Sequence, residues 1–278
     1  MRKLFITALA VCTLFIADAQ TLTTPQPSPT QTIKQNFGLS SIELSYSRPG
    51  IKGRKIFGDL VPFGKIWRTG ANNATLLTFA DDVTIGGKKI PAGKYGLLSI
   101  PEKKNWTLII TKQTDVTSPA AYKQDQDMVR IEVKTMDMDE SMETFTMQFA
   151  NVKPASCELH IMWDKTEIAL PITTDVETKV IAQIDQLMNK DNRPYFNAAM
   201  YYMDNGKDLN QALAWFDKAV ELQPNAFFIH HQRANCLAKL GRKEEAKAAA
   251  EKSKAQAIEQ KNDDYVRLND KLLAELDK

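Results

Sequence analysis

Along the chain the spacing of apolar positions changes once. From Gln35 to Thr173 apolar and polar residues alternate in short runs, IELSYS, TLLTFA, KYGLLSI, WTLIIT, MVRIEVKTM, TFTMQFANV, CELHIMW and EIALPI. Turn formers such as DD, GG, PAG, PEKKN and DMDE separate them. A period of two in many short strands predicts an antiparallel β-sandwich, jelly-roll-like, rather than a parallel sheet with crossover helices. Beyond Thr173 the apolar residues fall three or four apart, the spacing of helices with one buried face.

Asp175 is placed to cap a first helix whose Val176, Val180, Ile181, Ile184, Leu187 and Met188 share a face. Asp208 with Gln211 reads as a capping box, Pro224 closes that helix, and Gly241 stands at a helix C-terminus. Ala212, Phe216, Ala219 and Pro224, then Ala234, Gly241, Ala246 and Ser253, make the region similar to tetratricopeptide repeats, over one and a half to two units. Small residues belong there because paired helices approach closely only where side chains are short. The first unit departs from the pattern: the stretch from Gly206 to Ala212 is one residue longer than the usual loop, and Met200 occupies a small-residue position. DDYVRLNDKLLAEL reads as a polar-faced capping helix. The fold class is therefore α+β in two domains, a sandwich followed by an all-α helical-repeat domain. The tail is a candidate surface for a protein partner, or packs back on the sandwich. Arrays of this kind want at least three repeats for a groove, so peptide binding does not follow from the pattern alone.

The N-terminus carries a positive MRK, an apolar LFITALAVCTLFI and the small-x-small triplet Ala17 to Ala19. That pattern reads as a signal peptide over residues 1–19. A membrane anchor would need a longer apolar run, and a lipoprotein would modify Cys12, where Val11 stands in place of the small residue wanted before it. Residues 20–34, QTLTTPQPSPTQTIK, read as a flexible linker. The expected layout is thus signal 1–19, linker 20–34, sandwich 35–173 and helical domain 174–278, in an exported protein, periplasmic or secreted, without a membrane span.

Composition changes little in this picture. The 278 residues are 43% hydrophobic and 25% charged, within the globular range. Net charge is +2, and loss of Arg2, Lys3 and Asp18 with the signal moves it closer to neutral, which argues against a nucleic-acid partner. Cys157 and Cys236 would remain, one per domain, as buried free thiols.

No motif for an activated nucleophile, a metal centre or a phosphate loop stands in the sequence: HExxH, CxxC and G-x-S-x-G are absent. Neither cofactor nor metal is implied. His160 lies in CELHIMWD, on the strand face opposite Leu159 and Ile161, and reads as a solvated strand residue; His230 and His231 read as helix-packing residues. Acidic runs such as MDMDESME read as solvated turns, and a facing carboxylate pair of the glycosidase kind leaves no local signature.

The stretch of residues 45–75 is different. Arg48, Lys52, Arg54, Lys55, Lys65 and Arg68 interleave with Tyr46, Phe57, Phe63 and Trp67, among glycines and prolines that force turns. Arginines beside aromatic faces hold carboxylates, phosphates or sugar rings. The candidate ligand-binding residues are Arg48, Lys52, Arg54, Trp67, Arg68, Asn72 and Asn73, for a small anionic or sugar ligand. The competing reading has the aromatics plug the sandwich while Arg68 and Asn72 satisfy loop backbone.

YSRPGIKGRKIFGDLVPFGKIWRTGANNAT, followed by DVTIGGKKIPAGKYGLLSIPEKKNWTLIITK, resembles the domain of unknown function 2911, over most of residues 35–173. That resemblance implies an exported β-rich domain of Bacteroidota-type bacteria, often with a helical repeat tail, and carries no catalytic residues. The residues favour a non-catalytic binding or scaffold protein. The alternatives are a hydrolase of envelope or extracellular polymer using a carboxylate or His160, and a purely structural unit.

Overall fold

In β2 (Ser40–Ser47) Ile42, Leu44 and Tyr46 are buried while Glu43 between them is exposed, so one face of the strand turns inward. A computed structural model describes residues 24–278. The signal-peptide reading of residues 1–19 lies outside them. The chain divides between Thr174 and Asp175 into two compact units.

The first unit is an antiparallel sandwich. One sheet has β2 beside β1 (Thr30–Phe37), then β3 (Thr75–Phe79), β6 (Gly93–Ile100), β7 (Asn105–Thr111) and β8 (Asp127–Lys134). The other runs β5 (Lys88–Ile90), β4 (Val83–Ile85), β10 (Ser156–Thr173), β9 (Met136–Lys153). Leu44, Leu77, Leu97 and Leu108 of the first sheet meet Phe145, Leu159, Ile161 and Leu170 of the second in one core. The Tyr46 hydroxyl donates to the Met147 carbonyl at 3.1 Å and accepts the Met147 N–H at 2.9 Å, tying β2 to β9. A smaller cluster of Leu98, Ile109, Ala74 and Val116 covers the other face of β6 and β7, so the centre of this sheet is buried on both sides.

Three expectations need correction. Residues 30–34 of the presumed linker form the start of β1, paired with β2 from Thr30↔Ser47 onward. The strand is polar because it is the sheet's edge, where little surface is buried and charge discourages further pairing. MDMDESME is not a turn but the first part of β9, another edge strand, whose acidic side chains face solvent. CELHIMW and EIALPI are one strand, β10, bent at Asp164, which has φ +52° and sits between two register shifts.

Gly86 and Gly87, with φ +57° and +75°, join β4 to β5 in a two-residue hairpin, the left-handed geometry that favours glycine.

The second unit contains α1 (Glu177–Met188), α2 (Tyr195–Asp204), α3 (Leu209–Leu222), α4 (Phe227–Lys239), α5 (Lys243–Glu259) and α6 (Asp263–Leu276). Asp175 accepts the Thr178 N–H at the head of α1, and Ile184 is the buried member of its apolar face, with Leu187 exposed. Asp208 caps α3 by accepting from Asn210 and Gln211. After α4, Gly241 (φ +75°) donates to Ala238 and Arg242 donates to Leu237, the paired bonds of a Schellman stop. Ala212, Phe216, Ala219, Ala234, Ala246 and Ser253 are all buried at the helix contacts.

Candidate functional site

The tryptophan of GKIWRTGANNAT is a strand residue in all but name. Trp67 pairs with Ser99 of β6 through two backbone bonds of 2.7 and 2.9 Å, whereas β3 begins opposite Leu97 with Thr75. Residues 68–74 are therefore an excursion thrown out between two positions on β6, Ser99 and Leu97, that lie only two residues apart. Directly paired residues share a face, so Trp67 points with Ser99 and Leu97 into the core while Ile66 joins the cluster on the other side.

Inside, the Trp67 ring stacks on Trp163 with centroids 5.9 Å apart at 15°, and meets Phe145 and Trp106 edge-on at 5.2 and 5.9 Å. Its indole N–H donates to the Gly70 carbonyl at 3.0 Å, which closes the first turn of the excursion. Gly70 has φ +144°, and a Cβ there would come within 3.1 Å of the Ser47 carbonyl oxygen, so only glycine fits without movement. Thr69 is fully buried at φ +53°, strained for a β-branched residue. Its hydroxyl bonds to the Ser99 hydroxyl at 2.9 Å, and its carbonyl accepts from the Thr75 hydroxyl at 2.6 Å.

This pinned loop borders a cavity of about 340 Å³. Arg54, Trp67 and Arg68 line it, together with Lys65, Leu60 and Trp163. The titratable residues of the lining are all cationic. Arg68 Nη1 donates to the Thr117 carbonyl at 2.7 Å, while its buried Nε has no acceptor among the described residues. Arg54 spends Nε on the Ile51 carbonyl and Nη2 on the Gly50 carbonyl.

The segment that offers Thr117 is itself held down. Gln113 donates to the Ala121 carbonyl, and the Tyr122 hydroxyl donates to Asp127 at 2.5 Å. Burial, followed by that bond to a carboxylate, pushes the Tyr122 pKa up to about 12.

The other candidates do not line the cavity. Arg48 donates to the Phe145 carbonyl and the Thr146 hydroxyl, fastening the end of β2 to β9. Asn72, at φ +59°, donates to the Ser28 carbonyl and the Ser47 hydroxyl, a turn-holding role. Lys52 and Asn73 are exposed, and Lys52 offers its backbone N–H to Glu143. Sequence reasoning missed Trp163 and Leu60 as wall residues. Trp163 carried only an ordinary strand alternation, and no local signal tells that β10 passes behind this loop.

His160 is not simply solvated. Its side chain is 17% exposed and both ring nitrogens are engaged, Nδ1 with Glu167 at 2.5 Å and Nε2 with Glu158 at 3.0 Å. Seven extended residues would span roughly 23 Å, so this contact exists only because β10 bends at Asp164. Burial works to lower the imidazole pKa, but the two carboxylate bonds outweigh it and leave it raised. The bond from His160, with help from Asn151, lowers the Glu158 pKa.

In the helical unit His230 bonds to the Pro224 carbonyl and His231 to the Asn269 carbonyl oxygen at 2.8 Å, both as packing groups. Cys157 and Cys236 are buried free thiols, and burial pushes the Cys157 pKa up to about 11. Among the described residues no group of three or more His, Cys, Asp or Glu is placed to hold a metal ion. No helix among them is long and apolar enough to cross a membrane.

A family model described as protein of unknown function (DUF2911) matches residues 28–172, just over half of the chain. The chain belongs to this family. The DUF2911 match spans β1 to β10 and contains the whole Trp67 loop, so the family unit is the sandwich. Tetratricopeptide-repeat models match residues 193–226 and 215–248, which cover α2 to α4 and the start of α5. No curated protein and no solved structure matches the chain.

Proposed function

We propose that this DUF2911 protein is an exported, non-catalytic binding or scaffold protein. Its sandwich holds a small anionic or sugar ligand at the Trp67–Arg68 loop, and its repeat-bearing tail docks a protein partner. The observation that carries the reading is the cavity itself, which Arg54, Lys65 and Arg68 line together with Trp67 and Trp163 and whose lining includes no Asp, Glu, His or Cys. His160, the residue considered for hydrolytic chemistry, is committed on both ring nitrogens to Glu158 and Glu167 and is absent from the lining. Tetratricopeptide repeats stack into surfaces that serve protein contacts, which supports a partner for α2 to α4 and the start of α5. Export, to the periplasm or beyond, rests on the charge, apolar run and cleavage triplet of residues 1–19.

The test is a thermal-shift screen of the full mature chain against envelope sugars and acidic metabolites, run beside Arg68→Ala. A ligand that raises the melting temperature of the parent and not of the variant supports the reading, because a ligand stabilises the state that binds it. Ligands that stabilise both proteins equally place the site elsewhere and overturn it.

A further inference from the structure

We infer that the cavity beside Trp67 selects a small planar ring bearing an oxyanion, a carboxylate or a phosphate, over neutral sugars. This rests on the reading of the cavity as a binding site and narrows it to one chemistry.

Arg68 carries the argument. A guanidinium has five N–H donors in a rigid fork, and its Nε–Nη2 edge matches two oxygens of one oxyanion. Among the described residues only Thr117 accepts from this guanidinium, at Nη1, so that edge is the one left over. Nε is buried and unpaired, which a folded chain tolerates at a cost unless something supplies the acceptor. Among the described residues no carboxylate pairs with Arg68. An oxyanion drawn to this edge completes the fork.

The neighbours agree. Arg54 has Nε and Nη2 occupied by backbone carbonyls and contributes charge rather than a second fork. Lys65 is an exposed residue of the lining and adds a compact point charge on a flexible stem. Trp67, Trp163 and Leu60 give the rest of the lining an apolar character suited to a flat ring. At about 340 Å³ the cavity lies at the small end of ligand pockets, enough for one or two rings.

A neutral sugar fits this lining poorly. Its hydroxyls donate as well as accept, and burying them without partners is costly. Ser28 is the uncharged polar side chain of the lining, which contains no Asp, Glu, Asn or Gln, and the Gly70 carbonyl is taken by Trp67.

Isothermal titration of the full mature chain tests this with four probes: benzoate, phenyl phosphate, benzamide and N-acetylglucosamine. Compounds of this size bind at about millimolar strength, so the titrations run to about ten times that. The expected result is saturable binding of benzoate or phenyl phosphate, at least about tenfold tighter than benzamide. The better of the two anions tells a carboxylate site from a phosphate site. Arg68→Lys, which keeps the charge and loses the fork, weakens that anion about tenfold. Lys65→Glu, which touches no structural bond, weakens it as well and guards against misfolding of the Arg68 variant. Benzamide or N-acetylglucosamine binding as tightly as the anions overturns the oxyanion class while leaving a binding site in place. Anion binding indifferent to both substitutions overturns the assignment to this cavity. Silence from all four probes overturns the class and the binding-site reading together.

Discussion

Trp67, bridged to β6 from outside the named strands, stacks on Trp163 of β10 with ring centroids 5.9 Å apart and planes 15° from parallel. The contact joins the two sheets through a residue that pairs with β6 of one and stacks on a strand of the other. It also sets the position of Arg68, the next residue, at the cavity. Fold and candidate site therefore share one anchor.

Trp67→Ala is expected to destabilise the sandwich by about 3–5 kcal/mol, as loss of a large packed aromatic does. Denaturant unfolding followed by near-ultraviolet circular dichroism measures it. An unchanged midpoint would show that the ring is dispensable for packing.

The β4–β5 hairpin gives a paired test. A Cβ at Gly86 would lie 2.1 Å from an Ile131 methyl, whereas at Gly87 it meets nothing within 4 Å. Gly87→Ala carries only the left-handed strain, about 1–2 kcal/mol. Gly86→Ala adds a clash and lowers the melting temperature further. Equal melting temperatures would contradict the packing of β4–β5 against β8.

In the helical unit Asn269 is fully buried. Its carbonyl oxygen meets His231, and its amide donates to the Ser253 hydroxyl and the Tyr265 carbonyl, so one side chain links α4, α5 and α6. Asn269→Ala leaves several of these groups unpaired and should cost about 2–3 kcal/mol. Far-ultraviolet melting of the variant checks this, and a loss well under 1 kcal/mol would show that the network is replaceable.

His160 makes stability depend on pH. Its folded pKa is raised, so the native state holds the proton more tightly than the unfolded chain does. The contribution is complete below the unfolded value near 6.5 and is lost as pH rises through the folded one. Glu158 acts oppositely: its folded pKa is lowered, so its share is present above the ordinary carboxylate range and is lost on acidification. Melting temperature should decline from mildly acidic to mildly alkaline pH in the parent, and His160→Gln should flatten that decline. A parent profile already flat there would refute the Glu158–His160–Glu167 clamp.

Much of the architecture was legible because it depends on local alternation. The strand runs, the switch to helical spacing after Thr173, the Asp208 cap and the Gly241 stop all express short-range geometry. What escaped was long-range or marginal. β1 and the first half of β9 are polar because they are sheet edges, so no hydrophobic signal announced them. The bend at Asp164 that brings His160 to Glu167 has no sequence mark, and neither has the passage of Trp163 behind the loop. Of the basic and aromatic set around residues 45–75, the residues that reach the cavity could not be told from those that fasten backbone. Arg48 and Arg68 are chemically alike, and only tertiary placement gives one to β9 and the other to the cavity.

The central claim is that the Arg68 guanidinium keeps an edge for an oxyanion. The most direct measurement is the Arg Nε–Hε spectrum of protein labelled with ¹⁵N-arginine, with Arg68 assigned by its absence in Arg68→Lys and with benzoate and phenyl phosphate added in turn. The account predicts that one of these anions moves the Arg68 Nε–Hε signal saturably, while benzamide leaves it in place. An Arg68 signal that stays fixed with both anions would contradict it.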